Sequence, residues 1–185
     1  MHMIPKLIAV IAVIAVVVLA PCVSAAATDA RSDSLKAAYI YYFARFTDWK
    51  KTEKPNDGKV NLCAYTERDN LDKEFTSVAN KSSTRRVSLQ YRRIGDGEVL
   101  NNYLDRCHII YIDESFPLSS SFNLETVLAM GVLFVTEKDV DNAKGIIRFV
   151  MNDKKLGFEI HRSLASKAKL KISSKLLSLA TRLVE

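Results

Sequence analysis

The chain has 185 residues, 48% of them hydrophobic, and a net charge of +6 from 27 basic and 21 acidic side chains. That length suits one domain with a substantial core, and the lack of a Gly/Pro/Ser-rich linker or a repeat argues against a second. The basic residues are interspersed with acids, which favours solubility over the dense basic stripe of a nucleic-acid-binding surface, so no nucleic acid partner is expected.

The first segment reads as a targeting signal. Lys6 supplies a positive start, Leu7 to Ala20 is an unbroken run of Leu, Ile, Ala and Val, and Pro21 ends it. Val23-Ser24-Ala25 then places small residues where a signal peptidase cuts. The run falls short of the roughly 20 residues that span a bilayer. Residues 1–25 are therefore expected to be a cleaved signal peptide, 26–33 a short segment, and 34–185 a single α/β domain. Export removes Cys22 and leaves Cys63 and Cys107, two candidates for one disulfide in an oxidising compartment. With only His108 and His161 beside them they cannot form a structural zinc site, and no metal is expected.

A helix is predicted over Ser34 to Trp49. Leu35, Ala38, Tyr39, Tyr42, Phe43, Phe46 and Trp49 recur at steps of three and four, the stripe of a helix with one buried face. Ser32, Asp33 or Ser34 can cap its start, because a short side-chain oxygen accepts a backbone N–H there. A polar loop with turn residues Pro55 and Asn56-Asp57-Gly58 follows. Val60 to Tyr65 is a predicted strand, Asp69 to Val78 a helix, and Arg86 to Tyr91 an alternating second strand. Glu98 to Leu104 is a short helix. Cys107 to Ile112 is an almost continuous apolar run, as in a strand buried on both faces. Leu124 to Met130 is helical with Gly131 to close it, Val132 to Val135 is a fourth strand, and Asp139 to Lys144 makes one turn. Ile146–Met151 and Lys155–Ile160, separated by three residues, read as a hairpin. Arg162 to Ala168 is helical, and Ile172 to Val184 is a final amphipathic helix. Strands alternating with helices predict a Rossmann-like α/β sandwich: a mostly parallel sheet with a late antiparallel hairpin and helices on both faces.

The usual means of holding a nucleotide are missing. Gly95-Asp96-Gly97 has Leu100 where a third glycine would fall, and there is no Gly-Lys-Ser/Thr loop, nucleophile elbow or His-Glu-x-x-His. No catalytic residue and no cofactor is therefore assigned. His108, in a buried strand, reads as a core histidine, and His161 as an exposed one. Arg85-Arg86 and Arg92-Arg93 flank the second strand, which suits an edge protected by charge better than a phosphate site. Lys167, Lys169, Lys171 and Lys175 read as a solvated basic face. Glu159 is an acid inside an apolar strand; it faces water on an edge strand or is a buried carboxylate that needs a partner.

Several blocks resemble the YfiR family. Leu35 to Trp49 is similar to its opening helix, K-A-x-x-L-Y-N-F-A-K-x-x-x-W-P, and Cys107-His108-Ile109-Ile110-Tyr111-Ile112 to its central C-H-I-L-F-I strand. Gly145 to Phe149 with Leu156 to Ile160 resembles its hairpin, and Leu170 to Ala180 its closing L-x-I-S-S-x-L-L-x-L-A. Lys50 replaces the proline after the tryptophan, and His161 stands where Asn is usual. The resemblance implies a periplasmic, dimeric, Rossmann-like protein without catalytic residues. It implies a regulator that binds and inhibits an inner-membrane diguanylate cyclase through the periplasmic domain of that enzyme, lowering cyclic-di-GMP and biofilm formation. An outer-membrane, peptidoglycan-associated lipoprotein is implied as a second partner. It also implies a Cys63–Cys107 disulfide, although simple parallel register between their two strands would hold them too far apart. The expected contact surface is the hairpin and the next helix, where Glu159, His161 and Arg162 combine charge with expected exposure. The alternative is an exported module that binds a small ligand at the C-terminal edge of the sheet.

Overall fold

A computed structural model describes residues 23–49, 58–117, 123–137, 144–153 and 155–185. The expected signal run, the loop after Trp49 and most of the turn at 139–144 lie outside the described residues. In chain order the elements are α1 (Val23–Phe46), β1 (Thr47–Asp48), β2 (Lys59–Tyr65), α2 (Asp69–Ser82), β3 (Ser88–Arg93) and a 3-10 helix (Leu100–Tyr103). Then come β4 (Ile109–Ile112), α3 (Leu124–Ala129), β5 (Leu133–Thr136), β6 (Ile147–Asn152), β7 (Lys155–His161) and α4 (Arg162–Lys167). The chain closes with β8 (Lys171–Ile172), α5 (Ser174–Leu177) and β9 (Arg182–Val184).

The main sheet has seven strands in the order β3-β2-β4-β5-β6-β7-β9. The first five are parallel, β7 is antiparallel to β6 as the hairpin spacing predicted, and β9 runs parallel to β7. The mostly parallel α/β expectation is met. Side chains alternate across a strand, so each inner strand feeds two cores. Leu62, Ile109, Tyr111, Leu133 and Val135 face a core shared with α1 and α2. Cys63, Tyr65, Ile110, Ile112 and Phe134 face a smaller one built with the 3-10 helix and Val127 of α3. Gly131, at φ +64, turns the chain after α3, as its position in the sequence suggested.

Three expectations are corrected. The helix begins at Val23, so Ser32, Asp33 and Ser34 lie inside it and cap nothing. Its buried face runs through Asp33, Lys36, Ala37, Ile40, Phe43 and Ala44, while Leu35 and Tyr42 are exposed, so the predicted stripe is displaced around the axis. Phe43 and Tyr39 of the predicted stripe still pack on Phe149 and Phe158 of the hairpin. The predicted helix over Ile172 to Val184 is broken. Ser173 caps a single turn, Leu179 and Leu183 are exposed, and the Thr181 N–H donates to the Phe158 carbonyl at 2.8 Å, opening β9. Sheet pairing has overridden the helical preference of a leucine-rich stretch.

Candidate functional site

Glu159 lies on β7, which has β6 on one side and β9 on the other, and is therefore not on an edge. It is 7% exposed. Its carboxylate accepts from Arg148 of β6 at 2.6 Å and from two nitrogens of Arg182 of β9 at 2.9 and 3.0 Å. Burial would raise its pKa, but the hydrogen bonds from Arg148 and Arg182 outweigh that and hold it below the usual glutamate value. Of the two openings left for this acid, the buried carboxylate with partners is the one realised. His161 is buried as well, and its backbone N–H donates to the Ile146 carbonyl at 2.9 Å. The expected exposure of Glu159 and His161 is thus corrected. Arg162 is exposed and pairs with Glu185 at 2.8 Å. The three residues are neighbours at the corner where β7 enters α4.

Cys63 and Cys107 form a disulfide with Cα atoms 5.9 Å apart. The register objection is answered by where β4 starts. Cys63 pairs with Ile110, and Cys107 lies before the strand, in the turn after the 3-10 helix, where its N–H donates to the Tyr103 carbonyl at 3.0 Å. That turn brings Cys107 back over the face on which Cys63 points.

A cleft of about 770 Å³ opens at the N-terminal ends of β2, β3 and β4, against the end of α1. Among the described residues its charge is mostly basic: Arg45, Lys59, Arg85 and Arg86 line it with one acid, Asp48. Tyr41 carries Arg85 on its ring at 5.2 Å, and Trp49 meets His108 edge-on at 5.5 Å. His108 is buried, as expected, and its Nδ1 accepts the Asn61 N–H at 3.1 Å. Gly58, at φ +85, leaves no room for a side chain: a Cβ would stand 2.8 Å from the Arg86 carbonyl oxygen. β3 is an edge strand, with Arg85 and Arg86 before it and Arg92 and Arg93 forming its last two residues.

The opposite end holds the densest set of charges. β3 lies on one side of β2 and β4 on the other, so a crevice opens between the carboxyl ends of β2 and β4, the place where open α/β sheets bind ligands. Arg68 follows β2, Asp113 follows β4 and Glu137 follows β5; Asp33 and Lys36 reach them from α1. Lys36 Nζ stands 2.8 Å from Glu137, which also accepts from Arg68 and from the Tyr111 hydroxyl. Arg68 lies 3.5 Å from Asp33 and 3.9 Å from Asp113. Burial opposes the charge on Arg68, but Tyr111, Glu137 and Asp33 around it raise its pKa above the ordinary arginine value. Burial, reinforced by Glu137, pushes the Tyr111 hydroxyl well up, so it stays a donor. Asp33 is 3% exposed and its Oδ1 receives no hydrogen bond.

None of these five charged residues was assigned to a site from the sequence, and Asp33 was read only as a helix cap. Arg68, Asp113 and Glu137 carried a usable signal: each is a charged residue within three positions of the end of a predicted strand. Asp33 and Lys36 carried none, since their partners are remote in the chain.

Among the described residues no helix is long and apolar enough to cross a membrane. No curated protein matches the chain. Among solved structures, a conserved domain protein from Vibrio cholerae O1 biovar El Tor N16961 matches at 9% identity and a TM-score of 0.49, over 80% of this chain and 59% of its own. An ABC domain in complex with L-Trp from Streptococcus pneumonia matches at 8% identity and 0.47, over 82% of this chain and 60% of its own. The chain thus spans less than two thirds of either. The model of one family matches residues 33–181, from the buried Asp33 of α1 to Thr181 just before β9, and the chain accordingly belongs to the YfiR/HmsC-like family.

Proposed function

We propose that this protein is a non-enzymatic periplasmic regulator that binds the periplasmic domain of an inner-membrane diguanylate cyclase and inhibits it. The observation that carries this reading is the family match, which takes in the whole sheet except its last strand. In the same reading the signal peptide is cleaved after Ala25, the protein works as a homodimer, and an outer-membrane, peptidoglycan-associated lipoprotein competes for it. Inhibition across a membrane requires only that the regulator bind the off state of the cyclase better than the on state.

The contact surface in this reading is the corner of β7 and α4. Arg162 offers an exposed charge there, while the buried Glu159 and His161 hold the backbone behind it. Deleting the gene is expected to raise cyclic-di-GMP, and wild type to restore it. Arg162→Glu is expected to fold normally, bind the cyclase about tenfold or more weakly, and fail to restore it, because reversing a charge at an interface costs affinity without touching the monomer core. Unchanged cyclic-di-GMP after deletion, with no membrane partner co-purifying, would rule the reading out.

A further inference from the structure

We propose that the groove between the outward faces of α1 and α2 docks an amphipathic helix of a partner protein, one that carries carboxylates beside its apolar face. The groove is lined by other residues than the corner of β7 and α4, and the inference does not rest on the regulator reading.

Leu35, Ala38, Tyr42 and Phe46 recur at steps of three and four and form one stripe along α1. The fold turns this stripe outward: Leu35 is 40% and Tyr42 42% exposed, and Ala38 and Phe46 are half-buried. At the rise of an α-helix the stripe is about 16 Å long, roughly three turns. An apolar stripe of that length left in water marks a contact surface. α2 packs beside it, and a groove of about 210 Å³ lies between the two helices. Ala38, Tyr41 and Val78 supply its apolar lining, and Arg45, Lys81 and Arg85 its charge. Among the described residues no carboxylate lines it; Glu74, one turn before Val78 on α2, stands outside.

The three cations are available to a ligand, since none forms an ion pair among the described residues. Two are positioned by rings instead of acids. The Arg85 guanidinium lies over Tyr41 at 5.2 Å and that of Arg45 over Phe46 at 5.4 Å, with Lys175 of α5 on the same Phe46 ring at 5.6 Å. A guanidinium stacked on a ring keeps its fork of N–H donors for a carboxylate. A second copy of this chain is a poor occupant, because an isologous contact sets the same cations against one another. A bilayer is a poor one too, because a flat surface does not reach a floor set between two helices. A helix fits both features. It packs between two others by ridges into grooves, with its apolar residues on Tyr42 and the floor and its carboxylates on the three cations.

The test places the photo-crosslinker p-benzoylphenylalanine at Tyr42, and as a control at Met151, a hairpin position 57% exposed, in cells that carry the chain's own gene. Adducts are mapped by mass spectrometry. Adducts from Tyr42, absent from the control, are expected within one segment of another protein that has apolar residues at helical spacing and Asp or Glu beside them. That segment, synthesised as a peptide, should bind the purified protein. Lys81→Glu with Arg85→Glu should weaken binding about tenfold or more, and Lys81→Arg should leave it in place. Both positions are exposed, and each variant is first checked for an unchanged melting temperature. No adduct at Tyr42, the same adducts from Met151, adducts only with a second copy or with phospholipid, a segment without acids, or binding undiminished by the charge reversal would each overturn the inference. None of these outcomes requires the partner to be the cyclase.

Discussion

Glu159 shows what one buried carboxylate does in this fold. It sits between Arg148 and Arg182 on neighbouring strands, so one acid ties β6, β7 and β9 together. Glu159→Lys would place a third positive group between Arg148 and Arg182, and is expected to destabilise the protein by about 1–3 kcal/mol in urea unfolding, less than for a fully buried pair because Arg182 is open to water. The pH dependence has a definite sign. The folded pKa lies below the ordinary glutamate value, so the stabilisation is complete above that value and is lost as pH falls through the lower folded one. The gap in melting temperature between wild type and Glu159→Gln should therefore be constant near neutrality and shrink below about pH 4. The oddity of an acid between Phe158 and Ile160 was legible in the sequence. Its direction was not, because it depends on β9, which the leucine pattern disguised as helix.

At the scale of elements, β9 is held to β7 by a close approach at Gly157. A Cβ there would stand 2.3 Å from Thr181 Oγ1. Gly157→Ala should therefore displace Thr181 or loosen β9, lowering stability by about 1–3 kcal/mol. Adding Thr181→Ala removes the obstructing hydroxyl and should recover most of the loss, a coupling that a double-mutant cycle measures. The disulfide ties the 3-10 turn to β2 across a sequence separation of 44. In the chain-entropy model a loop of this length is worth about 4 kcal/mol, so reductant should lower the unfolding midpoint in urea while the Cys63→Ala, Cys107→Ala double variant shows no response to it. Strands β2 to β7 were legible because short apolar runs between turn residues have few alternatives. The face of α1 was not. Counting large apolar residues favoured Leu35 and Tyr42, whereas packing selected Ala37, Ile40 and Ala44 and buried Lys36 against Glu137. The ion pair that makes a buried lysine tolerable lies beyond any local window.

Across the whole molecule the parallel sheet gives its two ends different characters. The amino ends of β2 to β4 border a basic, aromatic cleft, and the carboxyl ends a predominantly acidic one. The alternation of strands and helices made the sheet legible, and its topology then determines which loops meet. The side chains gathered at each end come from segments far apart in sequence, and only the folded register reveals them. One such meeting has a kinetic consequence. The two-residue strands β1 and β8 pair Thr47 with Ile172 and Asp48 with Lys171, joining the end of α1 to a segment that follows the entire hairpin. Closing so long a loop costs more entropy than closing a local one, so this pairing is expected to form after the local strand–helix units. The next residue after β1 is Trp49, the single tryptophan of the chain and 2% exposed. Its fluorescence is expected to report the packing of this end of α1, where its ring meets His108. In stopped-flow refolding the emission change of Trp49 should lag the far-ultraviolet dichroism that reports strand and helix formation, and Thr47→Pro, which obstructs the β1–β8 pairing, should slow the fluorescence phase while leaving the earlier one intact.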